Sequence, residues 1–367
     1  MLGSWQAKLV NRIEDSTVRT LKMQRDCVDF SSNDYLGLAR NPLFQGDLMS
    51  IVLKYPSALK GATGSRLISG NTRTQEEVET FLAQRYGVES ALLMSSGYIA
   101  NLSLVSSLAL RGDTILVDEL IHRSVHDGCQ MSAATKWKFR HQDLNHLESL
   151  LKKARGQIWV LVESIYSMDG DYAPLADLID LTEAYGANLI VDEAHAVGVY
   201  GNGLVYEQGL MSRVFATVIT FGKAMGFHGA AVLASQELND YLVNFASPII
   251  YSTGNSDLMA LSIQAAYQFI DKNPTLREQL QQRIMYFNSH LKRTDRKVLF
   301  SAIQPVIIPE LNKLKSTAEE LERAGLSVYP VMPPTVPVNT GRLRICLHTH
   351  NSFDEIDRLT TIIKEYL

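Results

Sequence analysis

The sequence predicts an α/β protein: a large domain built on a mostly parallel sheet, followed by a smaller C-terminal α+β domain. Three observations carry this. Short runs of continuous apolar residues recur between residues 90 and 240; helical stretches separate several of them; and past about residue 255 a long helical region leads into a strand–helix–strand section. Strands that are apolar throughout, rather than alternating, belong to a sheet covered on both faces.

In chain order, the first 25 residues read as a polar helix with Trp5, Leu9, Ile13 and Val18 on one stripe. The apolar runs follow: Ala91–Met94, Thr114–Val117, Ile158–Val162, Leu189–Val191, Ala216–Ile219 and Ala230–Leu233. Helical segments are expected at Thr74–Tyr86, Gly97–Leu110 and Leu175–Tyr185, then a long helical region over Asp257–Lys292. The last section places strands at Ala302–Ile308, Leu326–Val331 and Arg342–Leu347 and closes with a helix at Asp354–Leu367. The expected divisions are an N-terminal segment 1–40, a large domain 41–255 and a small domain 256–367.

The 367 residues are 46% hydrophobic and 20% charged, which excludes disorder and permits a large core without disulfide or metal support. A formal charge of −4 argues against nucleic acid or anionic membrane as the main partner. Cys27, Cys129 and Cys346 show no CxxC spacing, and no apolar run approaches a membrane span. With no apolar signal core at the N-terminus, a reducing, cytoplasmic setting is expected.

Ligands of an open parallel sheet sit at the carboxyl ends of its strands. The first run leads into Ser95-Ser96-Gly97-Tyr98-Ile99-Ala100-Asn101, where free backbone N–H groups of an opening helix suit a phosphate, although an ordinary strand-to-helix turn has the same pattern. The second delivers Asp118-Glu119-Leu120-Ile121-His122, the third Glu163–Asp171, the fourth Asp192-Glu193-Ala194-His195 and the fifth Thr220-Phe221-Gly222-Lys223. A lysine amine forms a Schiff base with an aldehyde. A carboxylate at a pyridine nitrogen keeps the ring protonated as an electron sink, and a flat histidine stacks on it. That inventory describes pyridoxal 5′-phosphate, with Lys223 as Schiff-base lysine and Asp192 as pyridinium partner.

Competing motifs are weaker. Asp192–His195 also spells a helicase signature, but no GxxxxGK[ST] loop precedes it. Gly198–Gly203 is glycine-rich without being GxGxxG. His122 and His126 stand i, i+4 without a third ligand in pattern, so no metal is expected, and His348 and His350 read as alternating surface residues.

With these residues in view, the chain resembles the α-oxoamine synthases, fold-type-I pyridoxal-phosphate enzymes that condense an amino acid with an acyl thioester and release carbon dioxide. The resemblance runs from about Phe30 to the C-terminus. Its anchors are Phe30–Leu38, Gly64–Gly70, Ser167–Asp171, Asp192–His195, Thr220–Lys223 and Pro333–Pro337. Within the family it is most similar to the branch that joins L-alanine to a pimeloyl thioester, giving 8-amino-7-oxononanoate for biotin biosynthesis. The alternatives are a sister enzyme using glycine or L-serine with another acyl-CoA, and a non-catalytic cofactor-binding homologue.

The resemblance implies roles residue by residue. Lys223, His122, Asp192 and His195 are the catalytic set. Gly97 and Tyr98 meet the cofactor phosphate, Thr220 supports it, and Ser252 and Thr253 reach the phosphate of a neighbouring subunit. His122 and Ala194 flank the ring, while Ser167 and His195 contact its hydroxyl region. Arg344 holds the amino-acid carboxylate, Asn33 and Thr335 line the substrate site, and Arg19 lies near the acyl carboxylate. Sites shared in this way imply an obligate homodimer. Departures fall at Met332, where the family often has arginine, at Gln75 in place of a histidine, and at Ile219, where glycine is frequent. Lys136, Lys138 and Arg140 are candidates to meet coenzyme A or a carrier protein, or simply a solvated face.

Overall fold

The computed structural model describes residues 3–14, 18–21, 26–291 and 300–366. They form two compact units, residues 33–280 and a smaller one made of 1–32 with 281–367.

The larger unit is organised by a seven-stranded sheet. Its strands are β2 (Ser90–Met94), β3 (Thr114–Asp118), β4 (Thr135–Phe139), β5 (Ile158–Glu163), β6 (Asn188–Asp192), β7 (Ala216–Thr220) and β8 (Ala230–Ala234), numbered after a short β1 (Val28–Asp29) in the smaller unit. The order across the sheet is β2-β8-β7-β6-β5-β3-β4. All neighbours are parallel except β8, which runs antiparallel to both β2 and β7. Only residues 221–229 connect β7 to β8, too few for a crossover helix, so the chain turns straight back.

All six apolar runs form strands. The strand that the apolar pattern does not reveal is β4, whose Thr-Lys-Trp-Lys-Phe alternates because it lies at the sheet edge with Thr135 and Lys138 exposed; edge lysines discourage pairing with another chain. In the central strands alternate residues feed opposite cores. Ile115, Val117, Leu161 and Ile190 pack with the helices Gly97–Leu108 and Arg123–Met131, and Leu116, Val160, Val162 and Val191 pack with Leu144–Leu151 and Leu175–Ala184. A residue buried on either face must be apolar, which is why the runs are continuous.

The expected division at 255/256 is not where the units part. The helix Asp257–Lys272 buries Ile263, Ala266 and Tyr267, and the Tyr267 hydroxyl meets that of Tyr86 at 2.6 Å, so this helix belongs to the larger unit. The long helical region is two helices, Asp257–Lys272 and Thr275–His290, because Pro274 cannot continue the first one's hydrogen bonding. The unit boundary falls after Leu280, and residues 1–32 join the smaller unit rather than standing as a separate segment with 33–40.

In the smaller unit β9 (Ile303–Ile307), β11 (Tyr329–Val331) and β12 (Arg342–Cys346) form an antiparallel sheet with β12 central. The single strand expected over Leu326–Val331 is split: β10 (Leu326–Ser327) pairs instead with β1, parallel. The first helix spans Ser4–Glu14 with Trp5, Leu9 and Ile13 exposed, and Val18 lies beyond it. His348 and His350 do not alternate on a surface strand. His348 is fully buried, its ring stacked on His350 at 4.7 Å. A capping box of Ser352 and Glu355 starts the last helix, Phe353–Lys364. Cys27, Cys129 and Cys346 form no disulfide, and no helix among the described residues is long and apolar enough to cross a membrane.

Candidate active site

A cavity of about 300 Å³ opens where the strand ends of the larger unit converge. Asn33, Gly97, Tyr98, His122, Asp192, Ala194, His195, Thr220 and Lys223 all line it, brought together by five separate loops and strand ends. The expected turn from β2 into a helix is formed. Ser96 caps the helix Gly97–Leu108 by accepting from the Ile99 N–H at 3.2 Å, which leaves the first helical N–H groups facing the cavity. Gly97 is required by proximity: a Cβ there would stand 2.6 Å from Thr220 Cγ2.

The polar groups are organised in two networks. Asp192, at the end of β6, accepts from Asn101 Nδ2 at 2.6 Å through Oδ2 and from the Ala194 N–H at 2.9 Å through Oδ1. Asn101 Nδ2 also reaches Ser124 Oγ at 3.1 Å, and that hydroxyl lies 2.8 Å from His122 Nδ1. On the other side Tyr35 Oη meets His195 Nδ1 at 2.7 Å and donates to Asn33 Oδ1 at 3.0 Å. Tyr98 donates its hydroxyl to Asp127, and its ring stands edge-on to His122 with centroids 6.3 Å apart.

Burial sets the electrostatics. It pushes His122 below its ordinary range, against the pull of Asp192 and helped by Lys223, so the imidazole is neutral at pH 7. Glu163 also lines the cavity; burial first, then the Asp192 carboxylate, push its pKa up to about 8, against Lys223 and two backbone N–H donors. A lysine, a carboxylate, a neutral flat imidazole and a helix N-terminus therefore share one cavity. The donors and acceptors fit an aromatic aldehyde bearing a phosphate and a basic ring nitrogen.

The remaining candidates lie elsewhere. Ser167 is buried behind the cavity wall, its N–H donating to Glu163 Oε2 at 3.0 Å, and does not line the cavity. Ser252 and Thr253 line a separate small cleft with Arg66, Ser95 and Ile99. In the smaller unit, Arg344 is buried on β12 with Nη1 2.9 Å from Cys346 Sγ, and Arg19 Nη2 donates to Thr335 Oγ1 at 2.8 Å. Arg19 and Thr335, with Met332, line a second cavity of about 570 Å³. Gln75 faces neither cavity: its Nε2 donates to the carbonyls of Gly70 and Asn255, both at 3.0 Å, so it ties two loops together. Ile219 is a fully buried strand residue.

Sequence reasoning passed over Asn101, Ser124, Glu163 and Tyr35 as site residues. Asn101 carries a usable signal, since it stands four positions after Gly97 and so on the same helix face. Asp29, His348 and His350 bring ligand-type atoms within 4.8 Å of one another. His348 Nδ1 faces Asn351 Oδ1 at 3.1 Å and its Nε2 faces the Ser32 carbonyl at 3.0 Å, so its two nitrogens are engaged in a loop-to-loop lock. His122 is the N-cap of Arg123–Met131 rather than a member of it, which removes the i, i+4 helical pairing with His126.

Fold and cavity together define a lysine-dependent α/β enzyme of the aldehyde-cofactor type. The family model for class I and II aminotransferases matches residues 25–361. The 8-amino-7-oxononanoate synthase of Emericella nidulans is 37% identical over 93% of this chain and 89% of its own length, and that of Chromobacterium violaceum is 38% identical over 92% and 89%. Among solved structures, 8-amino-7-oxononanoate synthase from Francisella tularensis superposes with a TM-score of 0.78 at 26% identity, covering 92% of this chain and 97% of that one. Serine palmitoyltransferase from Sphingomonas wittichii superposes at 0.86 and 26%, covering 99% and 96%. The chain belongs to the class I and II aminotransferase family and, within it, to the 8-amino-7-oxononanoate synthases.

Proposed function

We propose that the protein condenses L-alanine with a pimeloyl thioester, releasing carbon dioxide and giving 8-amino-7-oxononanoate for biotin biosynthesis. It is a pyridoxal 5′-phosphate-dependent C-acyltransferase. The observation that carries the reading is the convergence of Lys223, Asp192, His122 and the Gly97 helix start on one cavity, in a chain 37–38% identical to synthases of this name.

When bound, the cofactor supplies an electron sink for the α-carbon of the amino acid. Lys223 Nζ would hold its aldehyde, and once the substrate's amino group takes that place the freed lysine amine would accept the α-proton and return one to the α-carbon of the product. Asp192 holds the proton on the ring nitrogen. His122 and Ala194, which line the same cavity, would flank the ring and exclude water. Gly97 and Tyr98 N–H groups, with Thr220, hold the phosphate. Ser167 and His195 serve the ring hydroxyl region, Ser167 through the Glu163 loop and His195 oriented by Tyr35. Arg344 binds the α-carboxylate, Asn33 and Thr335 line the substrate site, and Arg19 meets the distal acyl carboxylate.

The working form is a homodimer in which Ser252 and Thr253 complete the partner's phosphate site. The exposed Leu43, Met49, Leu53 and Ile68 are apolar side chains that a partner subunit would cover. Three cysteines that form no disulfide fit a cytoplasmic enzyme.

Titration of the cofactor-loaded protein with L-alanine, L-serine and glycine, followed in the visible absorbance band, tests the reading. Saturable change with alanine, followed by turnover with pimeloyl thioester, is expected. A response to serine alone would move the substrate to that of the palmitoyltransferase-like relatives. A protein that gains no band on addition of cofactor would end the proposal.

A further inference from the structure

We infer that Asn101 is a positioning residue that joins Asp192 and His122 into one hydrogen-bonded relay, fixing the plane of the carboxylate and the tautomer of the imidazole together. This rests on reading the cavity as the pyridoxal 5′-phosphate site.

The donor directions leave one arrangement. The Ser124 N–H points at His122 Nδ1 at 3.3 Å, so that nitrogen presents its lone pair. The Ser124 hydroxyl, 2.8 Å from the same nitrogen, must then donate to it. The Ser124 oxygen in turn accepts from Asn101 Nδ2 at 3.1 Å. An amide nitrogen carries two hydrogens, and the second goes to Asp192 Oδ2 at 2.6 Å. The proton of the neutral His122 therefore sits on Nε2. Asn101 and Ser124 are buried, at 1% and 0% exposure, so no bulk water can replace a lost link. The other Asp192 oxygen is held by the Ala194 N–H, so removing the amide frees one edge of the carboxylate while the other stays pinned. An amide is the group this position needs, because a carboxylate of the same size would turn an acceptor toward both Asp192 and Ser124.

The test is a double-mutant cycle with Asn101→Ala and Ser124→Ala, read as the dissociation constant of pyridoxal 5′-phosphate from the apoprotein and as the pH midpoint of the bound cofactor's visible band. A hydrogen bond to a charged group sets the scale: Asn101→Ala is expected to weaken cofactor binding roughly 10–100-fold and Ser124→Ala roughly 2–10-fold. If the relay acts as a unit, the double variant binds about as weakly as Asn101→Ala alone, and both single variants move the band midpoint. Losses that multiply, or midpoints that stay at the wild-type value, overturn the inference. Asn101→Asp keeps the volume and covers the case in which the alanine variant does not fold; it is expected to bind cofactor no better than Asn101→Ala, and wild-type binding would refute the relay. Wild-type protein that fails to bind the cofactor would instead remove the reading of the site itself.

Discussion

Gly97→Ala tests the phosphate end of the site through packing alone. The added Cβ would stand 2.6 Å from Thr220 Cγ2, where ordinary contact begins near 3.4 Å, so about 0.8 Å must be found. Thr220 cannot simply turn away. It is 7% exposed at the end of β7, and its hydroxyl donates to the Ala194 carbonyl at 3.3 Å, a bond that rotation of the side chain would break. Overpacking of this kind costs about 1–3 kcal/mol. At about 2–4 °C per kcal/mol for a unit of this size, thermal unfolding of the apoprotein should fall by roughly 2–12 °C. Cofactor affinity should fall with it, since the helix start and the threonine are pushed apart. Thr220→Ser removes the clashing methyl and keeps the hydroxyl, so the double variant should recover most of both losses. An alanine variant that melts within 1 °C of wild type, or a loss that Thr220→Ser leaves unchanged, would refute the reasoning.

Lys223→Ala is expected to abolish turnover of L-alanine with pimeloyl thioester while the protein still takes up cofactor non-covalently; measurable turnover would remove the lysine's role. His141 is pulled two ways: burial disfavours its charge, but Asp118 at 2.9 Å and Asp171 at 2.7 Å overcome this and hold it at about 10. Its folded value lies above the ordinary 6.5, so its contribution is complete below pH 6.5 and disappears as pH rises through about 10. The melting difference between wild type and His141→Asn should therefore be largest near pH 6 and shrink toward pH 10; a difference that grows with pH would contradict the charged triad. Gln75→Ala strips the donor from the Gly70 and Asn255 carbonyls and should cost about 1–3 kcal/mol in denaturant unfolding without changing the alanine response of the band. A changed response would bring Gln75 back to the substrate side.

What could be read from the sequence was whatever a single chain property announces. Continuous apolar runs mark strands buried on both faces, so β3, β5, β6 and β7 were legible, and with them the chemistry at their ends. β4 was not, because an edge strand with lysines facing water has the composition of a loop. The division of the chain was misjudged for a related reason. Apolar periodicity shows that Asp257–Lys272 is a helix but not which core its Tyr267 enters, and only the contact with Tyr86 assigns it to the larger unit. His348 was misread because its partners, Ser32 and Asn351, lie 316 and 3 positions away, a combination no local pattern encodes.

The same distinction divides the site. Lys223, Asp192 and His122, which share one cavity, stand out in the sequence because each lies at the end of an apolar run, a position where ligand chemistry is expected. Asn101 and Ser124 sit inside helices, where polar side chains ordinarily mean nothing more than a solvated face. Their burial converts them into something else. An amide that must place both hydrogens without water will choose its neighbours' orientations as firmly as they choose its own. The groups that line the cavity are thus readable as a list of residue types, whereas the groups that aim them are readable only once distances show where each hydrogen can go.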